Sequence, residues 1–327
     1  MYGSGIQLPS VSFSTLNPSS IPVNSYFIGL DLDNSGKLSK IDKYGTITVI
    51  EVTSSVINVG SGPGSTVRIG NSNTASGDCS TVSGGRCNTS SGAYSTVSGG
   101  YTNTASSCYS TVSGGRCSTA SSNSSTVGGG TNNTASGYSS TVGGGRDSTA
   151  SSYYSTVGGG RCNTASGDYA TISGGNSNTA SNNYATISGG RANTASGDYA
   201  TISGGYCNTA SGTNATVSGG YNNTTSSNYT SIVGGTNNKI QADSPGSAIL
   251  GGNTNTVSSY STYSVILSGQ NNDTCGVASV YILGDSICAD MCCTTYVNCL
   301  SIKNIPISAA GLCPGMVWNS GGQLCIV

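Results

Sequence analysis

Apolar residues recur along the middle of this chain on a strict cycle of fifteen. The anchor falls at Val67, Val82, Val97, Val112, Val127, Val142, Val157, Ile172, Ile187, Ile202, Val217 and Ile232. Around it runs the unit T-V/I-S/G-G-G-x-x-N-T-A-S-G/S-x-Y-S/A. A short fixed period marks a solenoid, in which each repeat buries its inner face only by stacking on its neighbours. Side chains alternate faces along a strand. T-V-S-G therefore turns Val82 inward and Thr81 and Ser83 outward. The same logic in N-T-A-S-G turns Asn88 inward, Thr89 outward and Ser90, at the usual Ala position, inward. A coil reads as two short strands joined by tight turns, with Gly84-Gly85 and its copies at a bend or a close backbone approach.

The inward Asn recurs at Asn163, Asn178, Asn193 and Asn208 among others. Such a ladder can satisfy its amides by bonding to the coils above and below. Val, Gly, Asn and Ala make a thin interior. The expectation is that several chains wind together, with threefold closure as a homotrimer.

Beyond residue 240 the spacing loosens, with Ile249, Ile266 and Ile282 at intervals of seventeen, seventeen and sixteen. Terminal repeats of a solenoid depart from consensus because they cap an open sheet edge. Four segments follow: an N-terminal β module over 1–60, regular coils over 61–240, irregular coils over 241–285, and a C-terminal β cap and trimerisation segment over 286–327. In the first, Tyr26 to Glu51 reads as short strands with Asn-Ser-Gly and Lys-Tyr-Gly turns. In the last, Trp318 and Ile326 are expected to pack the final cap.

Composition narrows the picture. The chain has 327 residues, 50 of them Gly, 7% charged residues and no His. Low charge is compatible with disorder, but a disordered chain has no need to keep Val on every fifteenth residue. The Gly share is far below one third and lacks a three-residue period, which excludes collagen. A net charge of −1 implies no attraction to nucleic acid or to an anionic membrane. No apolar run approaches the ~20 residues of a membrane span. Met1-Tyr-Gly-Ser-Gly-Ile-Gln lacks a basic region and an apolar core, so no signal peptide is expected.

The 13 cysteines include Cys87, Cys117, Cys162 and Cys207 in one register, five residues after the anchor, and none in adjacent coils. Two coils apart is ~9 to 10 Å, beyond the ~7 Å Cα limit of a disulfide. Free thiols assembled in a reducing compartment are expected. For the denser set Cys288, Cys292, Cys293 and Cys299, small buried apolar side chains are expected rather than structural zinc, since His and paired C-x2-C spacing are missing.

Little in the sequence carries chemistry. Without His there is no imidazole base or triad. The Gly steps do not form a phosphate loop, and Asp31 to Lys37 lacks the spacing of a calcium loop. The expectation is no enzyme, no catalytic residue, no cofactor and no metal. Two outward features remain. Tyr154, Tyr169, Tyr184 and Tyr199 form a row three residues before the anchor, and with Arg161 make a candidate surface-binding ladder. Stacking that stiffens the rod is the plainer role for the row. The outward pairs Thr171/Ser173, Thr186/Ser188 and Thr201/Ser203 suggest an ice-binding rank, but Gly128, Gly143 and Gly158 interrupt it.

Ser140-Thr-Val-Gly-Gly-Gly-Arg and Ser155-Thr-Val-Gly-Gly-Gly-Arg-Cys-Asn-Thr-Ala-Ser-Gly resemble the head repeats of trimeric autotransporter adhesins. The resemblance covers about residues 63 to 240. It implies a left-handed parallel β-roll with three chains around one axis. The segment from Tyr26 to Glu51 is similar to N-terminal modules of phage fibre and virion structural proteins. Thr295 to Pro306 and Gly311-Leu-Cys-Pro-Gly-Met-Val-Trp-Asn-Ser-Gly-Gly-Gln-Leu-Cys-Ile-Val resemble the closing segment of tail-fibre-like proteins of phages and giant viruses. Together these imply a non-enzymatic virion fibre, assembled in a reducing cytoplasm and displayed on the virion surface. Its partners would be itself as a homotrimer, other virion proteins through the N-terminal module, and a host-surface glycan or protein. Neither nucleic-acid binding nor membrane insertion is implied. A cellular surface adhesin is the alternative, and an ice-binding or extracellular surface filament a second.

Overall fold

The computed structural model describes residues 10–11, 26–31, 37–42, 47–49, 57–68, 70–298, 308, 310–311, 317–320 and 323–326. Every element among them is a β-strand. The chain divides into two compact units, Met1–Asn58 and Val59–Val327. In the first, Tyr26–Asp31 pairs antiparallel with Lys37–Asp42, which pairs antiparallel with Ile47–Val49. Ser10–Val11 joins Tyr26–Asp31 in parallel. The turns between these strands lie outside the described residues.

The second unit is a parallel β-solenoid of about 15 turns. One turn shows how the sequence makes it. Thr156–Val157 forms a strand that pairs in register with Thr171–Ile172 one turn later. Gly160 then turns the chain at φ 88°. A Cβ at that position would clash with the Gly175 carbonyl and stand 2.7 Å from Asn163 Nδ2, so only glycine fits. Arg161 follows as a single-residue parallel bridge between Arg146 and Asn176. Asn163 points inward, and Thr164–Ala165 pairs with Thr179–Ala180. The coil thus has three ladders rather than the two read from the sequence. The third is one residue wide and leaves no alternation to detect.

The registers carry this arrangement without slip from Val67 to Ile232. The anchor ladder then continues through Ile249, Ile266 and Ile282 to Tyr296, so the longer coils remain part of the same stack. A bulge at Ile266–Ser268 absorbs one change of period. The last rung ends on Tyr296, packed partly against the core. Its hydroxyl accepts from the Asp290 and Met291 amides at 2.9 and 2.8 Å and donates to Asp290 Oδ1 at 2.7 Å. At the C-terminus, Val317–Ser320 and Gln323–Ile326 form an antiparallel hairpin that pairs Trp318 with Cys325. The packing expected of the Trp318 and Ile326 side chains lies outside the described residues.

The interior is closed within one chain. The anchors from Val82 to Ile282 are fully buried, as are the inward-register Ala residues from Ala105 to Ala210 and the inward-register Asn residues from Asn88 to Asn255. The thin core therefore does not require other chains to shield it. The Asn ladder supplies its polar lining. Asn163 Nδ2 donates to the Gly159 carbonyl of its own coil at 2.9 Å and to the Gly175 carbonyl of the next at 3.0 Å. Its Oδ1 accepts the Asn178 backbone N–H at 3.0 Å. The same three bonds recur at Asn178, Asn193 and Asn208. These amides bond to backbone rather than to each other, and so tie each coil to its successor.

Replacing Asn163 or Asn178 by Leu keeps the branched shape but leaves those buried backbone groups without partners, at a cost of about 2 kcal/mol or more. Thr164→Ser or Thr179→Ser, on the half-exposed side, should stay within ~0.5 kcal/mol. Denaturant or thermal melts of the two sets check the ranking; equal stabilities would overturn it.

Candidate functional site

Among the described residues the buried side-chain polar atoms other than Ser80 Oγ have partners, and the stack presents rows of side chains repeated along its flanks. Two corners in each coil hold non-glycine residues in the left-handed region. One corner lies three residues before the anchor, where Tyr154, Tyr169, Tyr184 and Tyr199 have φ of 54°, 59°, 57° and 58°. The other lies five residues after it, where Cys87, Cys117, Cys162 and Cys207 have φ of 57°, 54°, 54° and 57°. That conformation is unfavourable for such residues. Here it turns one N–H back toward the previous coil: Tyr169 donates to the Tyr153 carbonyl at 2.8 Å and Cys162 to the Arg146 carbonyl at 2.9 Å.

The exposed tyrosine rings stack along the first corner. Ring centroids from Tyr154 to Tyr199 are 5.1, 4.9 and 4.8 Å apart, with planes within 11°, 2° and 1° of parallel. The rings inherit the coil spacing. Tyr94 and Tyr109, in the same register, stack at 5.1 Å and were missed by sequence reasoning, which began the row at Tyr154. Ser124 and Ser139 separate the two groups. The result is two flat, polar-edged aromatic surfaces.

Arg161 is on a different ladder from the tyrosines, four residues after the anchor. The same ladder holds Arg86, Arg116, Arg146 and Arg191, all exposed. The signal for them was present in the sequence, since each follows the double glycine directly. Arg146 and Arg161 are on adjacent rungs, and Asp147 lies beside them. Its carboxylate accepts from Asn132 Nδ2 at 2.8 Å and from Arg146 Nε at 2.9 Å. These bonds, with the Arg146 and Arg161 charges, hold the Asp147 carboxyl below the usual aspartate range. The resulting stabilisation is fully present above the ordinary aspartate pKa and is lost as pH falls through the lowered value. Solvent access to the pair keeps it small.

The cysteines depart from expectation in two ways. Cys87, Cys117, Cys162 and Cys207 are free, as expected, and half-buried, but Cys288, Cys292 and Cys293 are exposed rather than buried. Cys299 lies outside the described residues. A disulfide joins Cys275 to Cys288, with Cα atoms 5.9 Å apart. Among the described residues, no group of three or more His, Cys, Asp or Glu is placed to hold a metal, and no helix is long and apolar enough to cross a membrane. No family model matches the chain, and no curated protein matches it.

An NMR titration should place the Asp147 midpoint below that of a free aspartate, and Arg146→Gln should move it back up. Under native conditions, Cys292 should alkylate readily, whereas Cys275 and Cys288 should be modified only after reduction. Peptide mapping by mass spectrometry checks both.

Proposed function

We propose that the chain is a non-enzymatic structural fibre protein whose coils form a stiff rod presenting a binding surface. One observation carries this: an unbroken in-register ladder of about 15 turns with a closed interior and repeated side-chain rows outside. At ~4.8 Å per turn the rod is on the order of 70 Å long. The resemblance of the ends to viral fibre modules supports reading it as a virion component, with the N-terminal module as its attachment to other virion proteins and the rod as the carrier of host recognition.

A homotrimer is part of the proposal, and a change in the outward face supports self-association. The position directly after the anchor is Ser or Gly from Ser83 to Ser218. It then becomes Val233, Leu250, Leu267, Leu283 and Val297, each 37% to 52% exposed. A contiguous exposed apolar stripe marks an interaction surface. Because it runs along the rod, identical stripes meet in register when copies stand parallel, as cyclic closure requires.

A cell-surface adhesin is the second reading, favoured by the Cys275–Cys288 bond, which suits an oxidising environment. On the virion reading that bond closes after release from a reducing cytoplasm. Antibody labelling of purified particles against whole cells separates the two.

Light scattering of the purified protein should give the mass of three chains, and Leu250→Ser with Leu267→Ser should lower it while the β-sheet signal remains. A monomeric wild type would refute the trimer and leave the rod. Host-cell or glycan binding should weaken severalfold when Tyr169, Tyr184 and Tyr199 are changed together to Ala. Unchanged binding would make the row a stiffening element only.

A further inference from the structure

Five of the six arginines in the chain, Arg86, Arg116, Arg146, Arg161 and Arg191, occupy one register. Parallel bridges from rung to rung place them on a single line along the rod. Arg86, Arg116 and Arg146 are two rungs apart, as are Arg161 and Arg191, which is roughly 9 to 10 Å at the inter-strand spacing. Neutral residues, Tyr101, Thr131 and Asn176, fill the rungs between them. Like charges directly opposite each other on a ladder are destabilising. The one adjacent pair, Arg146 and Arg161, is the one relieved by an acid, Asp147. Repulsion accounts for the spacing within the row but not for the gathering of cations into it, since arginines spread over several outward registers would repel less. The other acids of the regular coils, Asp78, Asp168 and Asp198, occupy a separate register four residues before the anchor. Among the described residues, Arg86, Arg116, Arg161 and Arg191 make no ion pair.

We infer that this row binds a linear acidic polysaccharide carrying one carboxylate or sulfate per disaccharide. The disaccharide of an extended chain is close to two rungs in length, so successive anionic groups meet Arg86, Arg116 and Arg146, or Arg161 and Arg191. Guanidinium takes carboxylate or sulfate through paired N–H donors. Tyr101 and Tyr206, in the same row, add ring faces for sugars beside Arg86 and Arg191, whose guanidinium carbons are 5.7 and 5.3 Å from those ring centroids. Each exposed contact is weak, but a rigid line of them binds a repeating ligand through avidity. A nucleic-acid strand fits worse. Each strand of a duplex carries a charge about every 3.4 Å along the axis, so most phosphates would fall between arginines, and the net charge of −1 offers no broader attraction. The inference deepens the adhesive reading above and rests on it only in treating the flanks as a contact surface; it requires neither the trimer nor the virion.

The test uses the full chain on immobilised hyaluronan oligosaccharides, which carry one carboxylate per disaccharide. Neutral chitin oligosaccharides of equal length and single-stranded poly-dT serve as comparisons. Hyaluronan should retain the protein at low salt and release it as salt rises, and chitin should not retain it. Arg116→Gln with Arg161→Gln should weaken binding at least tenfold, and Asp147→Asn should strengthen it. Lys239→Gln, an exposed cation off the row, should change it less than twofold. Circular dichroism establishes that each variant is folded. Absence of hyaluronan binding, equal losses from the row and Lys239 variants, or poly-dT binding as tight as hyaluronan would overturn the assignment. Should hyaluronan fail while light scattering still gives three chains, the row has no such ligand and the fibre reading stands.

Discussion

A coil of this protein cannot satisfy its own backbone. Thr156, Gly158, Arg161, Thr164 and Ser166 all donate their N–H to carbonyls of the following coil. Buried peptide groups without partners are costly, so a coil is stable only where the next one lies in register. The Asn ladder tightens this requirement, because each inward amide takes two carbonyls and one N–H in fixed positions. A one-residue insertion between anchor and Asn would break the backbone and side-chain sets together, and even the longer coils keep that separation, from Ile249 to Asn255 and from Ile266 to Asn272. That is the physical reason for a period that holds from Val67 to Ile232. Stability in such a stack is carried by nearest-neighbour contacts rather than by a central core.

The same constraint divides the residues into two populations. From Val82 to Ile232 the inward positions hold Val or Ile, Asn or Ser, and Ala, Ser, Thr or Gly, because the interior is one side chain thick. Outward positions carry no such restriction, yet each repeats at every turn. A substitution pattern along one register therefore becomes a continuous row. Tyrosine at the left-handed corner becomes a stack, arginine after the glycine turn becomes a charged line, and Leu in place of Ser becomes an apolar stripe. The solenoid makes extended surfaces from single-residue choices, and it needs no pocket to do so.

The inward pattern was legible because alternation and period point to the same residues: Val82, Asn88 and Ser90 are inside, and Thr81, Ser83 and Thr89 are outside. Three features were not. The one-residue bridge ladder has no alternation, and it depends on glycine φ values that sequence periodicity does not encode. The self-contained interior was underestimated because only its thin apolar content was weighed, whereas the Asn amides fill space and satisfy glycine carbonyls together. The Cys275–Cys288 bond escaped because only cysteines in identical registers were compared. Asp273 pairs with Cys288 across adjacent coils, and this brings Cys275, two residues further along, within reach.

The rows also differ in where they run along the rod. The arginine line ends at Arg191, and the apolar stripe begins at Val233. They lie in different registers as well as on different coils. Association through the stripe would hold copies together at the C-terminal coils, where the period lengthens and the consensus relaxes. It would leave the arginine-bearing coils solvated. Three parallel copies would then present three charged lines at once, adding to the avidity that each line has on its own. Assembly and recognition would thus use separate parts of one ladder, so neither has to compromise the register on which both depend.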